Sequence, residues 1–263
     1  MNIQRPSKVM HSHLLKMTML SQRAVDYSIK SYEWESLEFC NAVLNAEAEW
    51  GEVQRFIGDR GRAFRAAGRP IDFDSPFACC ALRIFGALRV TYAAATQIAH
   101  NTMLMLEGGR FAPSSGIREM GDHVNSLVRL YTVALFKKDV EHAATILQNA
   151  KVRDWLYSRS YPAQNDVCQG NGATFQFEFE IVRSLVQIAE QAFEIGEAIM
   201  RWLEGNDCRG LLRKRSGQLK RIHMHDLTPV GLASPRVVFV PRLAFSTFGS
   251  RVNPDLLASY PIL

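Results

Sequence analysis

Two long apolar-periodic stretches of this chain end alike: one closes with Leu106-Glu107-Gly108 and the other, 97 residues later, with Leu203-Glu204-Gly205. Two further helix-like segments and a break rich in Pro, Gly or polar residues precede each ending. A repeat of about 100 residues is too long for a solenoid unit, so each copy is expected to be a small domain of its own. A chain of 263 residues has room for two such domains, each with a modest core.

In the first copy, residues Leu14, Leu15, Met17, Leu20, Ala24, Tyr27 and Ile29 make one helical stripe to about Tyr32. After a turn near Trp34, a second stripe runs from Leu37 through Cys40, Val43, Trp50, Val53 and Ile57 to about Phe64. Gly68-Arg69-Pro70 breaks it, and Ser75-Pro76 reads as an N-cap with proline at the first helical position of a helix over 77–106. In the second copy the helices read 117–136, about 139–156 and 173–203, with Pro162 and Gly170-Asn171-Gly172 in the last break. The middle helices align with an offset of 103, which lays Glu35-Ser36-Leu37-Glu38 on Lys138-Asp139-Val140-Glu141. Three long amphipathic helices on short links bury their stripes most simply as an antiparallel three-helix bundle. The expected fold is all-α: two tandem three-helix bundles, over 8–108 and 114–205, with six long helices.

The remainder, 206–263, is expected to be a poorly ordered basic tail. Pro229, Pro235, Pro241, Pro254 and Pro261 recur too often for a helix, and Val237-Val238-Phe239-Val240 is the one β-branched run. From Asp207 onward nine Lys/Arg face three Asp/Glu, whereas the body carries 22 basic and 23 acidic residues. The overall net charge of +5 is therefore a property of the tail. A nucleic-acid-binding body would carry a basic face of its own, so no specific nucleic acid is expected as a partner. The Arg213–Arg221 segment leaves open a rival reading, a helical protein that binds nucleic acid or a membrane surface.

No apolar run approaches the roughly 20 residues of a membrane span, and residues 1–13 lack a signal-peptide core. A cytoplasmic protein is expected, touching a membrane only through partners. The five cysteines, Cys40, Cys79, Cys80, Cys168 and Cys208, form no C-x-x-C pair or zinc spacing and read as packed thiols. Trp34, Trp50, Trp155 and Trp202 read as core or interface side chains within the stripes.

The segment Phe179-Glu180-Ile181-Val182-Arg183-Ser184-Leu185-Val186-Gln187-Ile188-Ala189-Glu190, with Glu204 fourteen residues on, resembles the third helix of a PhoU domain. That helix reads approximately L-K-I-x-x-D-L-E-R-I-G-D-H-A in the family. Ile117-Arg118-Glu119-Met120-Gly121-Asp122 is similar to the family's first helix in its second repeat, and Thr96-Gln97-Ile98-Ala99-His100-Asn101 to the E-R-I-G-D-H stretch of the first. The resemblance spans about residues 8–205 and includes the duplicated three-helix plan; the tail has no counterpart. It implies a regulator of phosphate uptake and phosphate signalling that works by protein contacts. Its partners would be the ATPase subunit of a phosphate ABC transporter, a phosphate-sensing histidine kinase, or both, with a homodimer as the working form.

The family places an acidic pair, E-x-x-x-D, on each third helix, where i and i+4 share a face and hold iron-type clusters. Here Val186 stands at the Glu position of the second pair and Glu190 at the Asp position. In the first, Thr96 and His100 are the occupants, or Ala95 and Ala99 if the register slips by one. Neither register restores a pair, so no cofactor is expected. One alternative metal set remains, Glu119, Asp122, His123 and Glu190, which would make the protein a metal-binding bundle for iron or another divalent ion. Against it stands the ordinary solvated helix face, and an isolated His223-x-His225 is a weak, nonspecific site. No G-x-x-x-x-G-K-[ST], G-x-G-x-x-G after a strand, G-x-S-x-G or H-E-x-x-H is present, so an enzyme is not expected.

Overall fold

The computed structural model describes residues 4–66, 76–109, 111–159 and 172–204. These hold α1 (Gln4–Glu33), α2 (Leu37–Leu44), α3 (Glu47–Ala66), α4 (Pro76–Glu107), α5 (Ser115–Lys137), α6 (Val140–Gln148), α7 (Ala150–Arg159) and α8 (Ala173–Glu204). No strand occurs among the described residues. By its contacts the chain divides into two units, Met1–Arg221 and Ile222–Leu263. All eight of these described helices lie in the first. The second lies outside the described residues, as do the Gly68-Arg69-Pro70 break, Ser75, Pro162, Cys168, Cys208, Arg213–Arg221, the His223/His225 pair and the Val237–Val240 run.

The duplicated plan is all-α, with one refinement. Each middle helix is broken in two, into α2 and α3 in the first copy and α6 and α7 in the second. Asparagine closes both leading pieces: the Asn45 N–H returns to the Asn41 carbonyl at 2.8 Å, and the Asn149 N–H to that of Ile146 at 3.1 Å. Asparagine is a poor helix former whose side chain competes for nearby backbone groups, so a periodic stripe can continue past it while the helix does not.

The link before each middle helix is built the same way twice. Glu35 and Lys138, equivalent at the offset of 103, are the positive-φ non-glycine residues among those described, at 50° and 53°. The next residue caps the new helix: Ser36 accepts from the Phe39 N–H, and Asp139 from those of Glu141 and His142. The Ser36 N–H then bonds Ser31 O at 3.0 Å and the Asp139 N–H bonds Ala134 O at 2.9 Å, five residues back in each case. A left-handed residue at a helix end satisfies carbonyls that would otherwise be orphaned. Two matching αL residues, neither of them glycine, mark the halves as copies.

Helices from different copies pack antiparallel. Along α1 and α5, Tyr32 meets Ser114, Ile29 meets Gly121 and Asp26 meets Asn125, so one number rises as the other falls. Along α4 and α8, Phe77 lies against Trp202 and Arg83 against Glu194. Helices α4 and α8 are each 32 residues long. Small buried side chains line them: Ala81, Ala87, Ala94, Ala95 and Ala99 on α4, and Ala189, Ala192 and Ala198 on α8. Such residues let two backbones approach along their whole length. The buried side chains of both copies, among them Leu14, Met17, Ile84, Ile98, Met120, Tyr131, Val182 and Ile195, form one continuous core.

The thiols and tryptophans divide more finely than the periodicity suggests. Cys40 and Cys80 are buried, but Cys79 is exposed. Successive helix residues point about 100° apart, so Cys80 falls on the buried face of α4 while Cys79 falls on its solvent side. Trp50 is buried and stacks on Tyr92 at 4.0 Å, whereas Trp34 is 61% exposed.

Candidate functional site

The third helices α4 and α8 carry the positions at which the sequence analysis looked for acidic pairs. Thr96 turns its hydroxyl back to its own helix and donates to the Tyr92 carbonyl at 3.0 Å. His100, one turn on, is half-buried, while Ala95 and Ala99 are fully buried. On α8, Val186 is buried, and Glu190 accepts a hydrogen bond from the Tyr157 hydroxyl of α7 at 2.7 Å. Burial, and then this carboxylate, push the Tyr157 phenol above its ordinary range. The one acid left at these positions is thus engaged as a helix-to-helix link.

The alternative set of Glu119, Asp122, His123 and Glu190 is not drawn together. Among the described residues no group of three or more His, Cys, Asp or Glu side chains is placed to hold a metal ion. Glu119 and Asp122 are exposed on α5, and the His123 ring stands edge-on to Trp155 at 5.3 Å. Asp122 instead faces Glu33 of α1; burial, and then the Asp122 charge, raise the Glu33 carboxyl above its usual range. Helical spacing alone put these side chains on neighbouring faces, but the packing of α5 turned them toward different partners.

Two surface features emerge that periodicity did not disclose. An open groove of about 540 Å³ runs along the outer side of α1. Lys16, Arg23, Tyr27 and Asp26 line it from α1, Glu49 from α3 and Arg129 from α5. Met19, 56% exposed, also lines it. Lys16 and Arg23 share the Glu49 carboxylate at 3.2 and 3.3 Å. At the groove's inner edge Asp26 binds Lys30 at 2.7 Å, Asn125 at 3.0 Å and Arg129 at 3.6 Å. Burial raises the Asp26 carboxyl, but these partners outweigh it and hold the group below the usual aspartate range.

The second feature is an aromatic elbow at the α1–α2 link. Phe39 meets Tyr27 at 5.3 Å and the edge of Trp34 at 5.4 Å, and the Lys30 ammonium stands 5.8 Å over the Trp34 ring. Leu37, 49% exposed, adjoins them in sequence. Exposed aromatic and aliphatic side chains grouped beside a cation have the makings of a protein-contact surface.

No family model and no curated protein matches the sequence. Solved structures do match the fold. A PhoU from Pseudomonas aeruginosa superposes with a TM-score of 0.65 at 18% identity, over 78% of this chain and 100% of that one. The phosphate transport system regulatory protein PhoU from Streptococcus pneumoniae superposes with a TM-score of 0.63 at 16% identity, over 78% of this chain and 98% of that one.

The chain has the PhoU fold.

Within that fold, the helices expected to carry acidic pairs are present at full length while the pairs are not. The described part of the chain therefore keeps the PhoU scaffold and presents helical faces, a groove and an aromatic elbow. Among the described residues no helix is long and apolar enough to cross a membrane.

Proposed function

We propose that this protein is a PhoU-like regulatory adaptor in phosphate uptake and phosphate signalling, working by protein–protein contacts and not by catalysis. One observation carries the reading: the fold of two PhoU proteins is reproduced over essentially their whole length, 100% and 98% of those chains. The replaced acidic pairs and the engaged Glu190 support a role centred on surfaces. Candidate partners are the ATPase subunit of a phosphate transporter and a phosphate-sensing histidine kinase, met in the cytoplasm by a homodimer. Elongated helical bundles offer the long self-complementary faces that such a dimer uses.

The test is affinity purification of the tagged full chain from phosphate-replete and phosphate-starved cells, followed by reconstitution with the purified candidates. The reading expects a transporter subunit or sensor kinase to co-purify in a phosphate-dependent way. Recovery of neither, under both conditions, would overturn it. A Trp34→Ala, Leu37→Ala double variant that still folds is expected to weaken the recovered complex at least about tenfold if the elbow is the contact.

A further inference from the structure

At the end of the bundle where α1 and α4 begin and α8 finishes, His11 lies between two aromatic rings. Phe77 of α4 is 5.6 Å away and Trp202 of α8 5.7 Å, centroid to centroid. Phe77 and Trp202 are 4.9 Å apart, so the three rings close a triangle. Lys138, in the αL link after α5, holds its ammonium 5.6 Å over the Trp202 ring. His11 Nε2 is buried, with no hydrogen-bond partner among the described residues.

A neutral imidazole suits this triangle because it packs as a third aromatic ring. An imidazolium does not. Burial disfavours the charged ring, and the Lys138 ammonium, 5.6 Å from the Trp202 centroid, sets a like charge nearby. Among the described residues, several other charges on the packed elements are engaged elsewhere, and Lys137 stands in the last turn of α5. Arg83 of α4 is bound to Glu194 and Glu197, Arg201 of α8 to Glu197, and Asp139 of the α5–α6 link to His142. On α1 itself Lys16 is bound to Glu49, and among the described residues Glu204 stands on the last turn of α8. Burial, and then Lys138, hold the His11 ring below the ordinary imidazole value.

We propose that His11 is a proton-operated latch for this end of the bundle. Neutral, it packs the first turns of α1 against α4 and α8. Protonated, it repels Lys138 and leaves the ring triangle, which loosens those turns and uncovers Phe77 and Trp202. A group whose folded-state pKa lies below its unfolded value favours folding in its neutral form. The latch is therefore fully closed above about pH 6.5 and opens as pH falls through the folded-state value.

The test is amide hydrogen exchange of the full chain at about pH 7.5 and about pH 5, corrected for intrinsic rates, beside an NMR titration of the His11 ring. In the native sequence, protection in the first turns of α1 is expected to fall at least about threefold more than in α5. The His11 midpoint is expected below the ordinary imidazole value, and Lys138→Gln should move it upward. His11→Phe, which keeps the ring and removes the proton site, should abolish the selective loss. If that variant does not fold, His11→Gln and the native titration serve instead. An equal loss in native and variant chains, or a His11 midpoint at or above the ordinary value, overturns the proposal.

Discussion

The Tyr32 hydroxyl donates to Glu178 Oε1 at 2.7 Å, joining residues 146 positions apart, and the Ser114 N–H donates to the same hydroxyl at 2.9 Å. Glu178 is 1% exposed, so its carboxylate requires donors where water does not reach. The contact ties the end of α1 to the N-cap of α5 and the second turn of α8. Two copies that meet through long apolar faces are locked at this end by one phenol.

Tyr32→Phe keeps the ring, which is 1% exposed and 5.3 Å from Phe111, and removes only the hydroxyl. Both Ser114 N–H and Glu178 then lose a partner inside the protein. The expected loss is roughly 1–3 kcal/mol in urea unfolding. A double-mutant cycle with Glu178→Leu, which removes the acceptor, should return a coupling of about 0.5–3 kcal/mol. Additive single losses would show that the contact has no energetic weight.

Asp26 predicts an acid dependence. Its folded-state carboxyl lies below the usual value, because Lys30, Asn125 and Arg129 outweigh the effect of burial. The stability it contributes is present above the unfolded value of about 3.9 and is lost as pH falls through the lower folded-state value. Asp26→Asn should cost roughly 1–2 kcal/mol near neutrality and flatten the stability profile below about pH 4. A variant whose profile stays parallel to that of the native chain would contradict the assignment.

Gly121 and Gly51 should respond in opposite directions to alanine. A Cβ at Gly121 would stand 2.9 Å from Ile29 Cγ2, whereas at Gly51 nothing lies within 4 Å. A β-branched methyl group cannot swing away freely, so Gly121→Ala should force α1 and α5 apart at a cost of about 1–3 kcal/mol. Gly51→Ala, inside α3, should stabilise by about 0.5–1 kcal/mol through reduced backbone entropy. Thermal unfolding of both variants checks the pair, and a stabilised Gly121→Ala would mean that α1 and α5 yield at this point.

Elemental analysis tests the alternative metal set. We expect no transition metal at near-stoichiometric level, since Glu190 is bound to Tyr157 and His123 packs on Trp155. Glu190→Gln should instead loosen α7 from α8, read as faster exchange of the α7 amides. One metal ion per chain, lost on that substitution, would reinstate Glu119, Asp122, His123 and Glu190 as a site.

Local patterns made much of this architecture legible. The stripes over 14–29 and 117–134 buried most of the side chains they promised, with Leu15, Tyr27 and Leu130 only partly covered, because 3.6-residue periodicity is a property of neighbouring residues. The offset of 103 aligned the two links, and the structure shows that they share a left-handed residue and a capping side chain. The two breaks at asparagine did not stand out, since the apolar spacing continues through them. Cys79 was expected to pack and is exposed, because a stripe is wider than one residue and its margin can face solvent.

The sequence by itself determined most helix positions and the doubling, because apolar periodicity and a repeated pattern are written along the chain. Tertiary structure alone decided that Tyr32 reaches Glu178, that Asp26 gathers Asn125 and Arg129 from α5, and that His11 enters a triangle with Phe77 and Trp202. Those partners lie 66 to 191 residues away, and no local spacing encodes them. They are set by how antiparallel helices register as their ridges interlock, a choice made by the whole core at once.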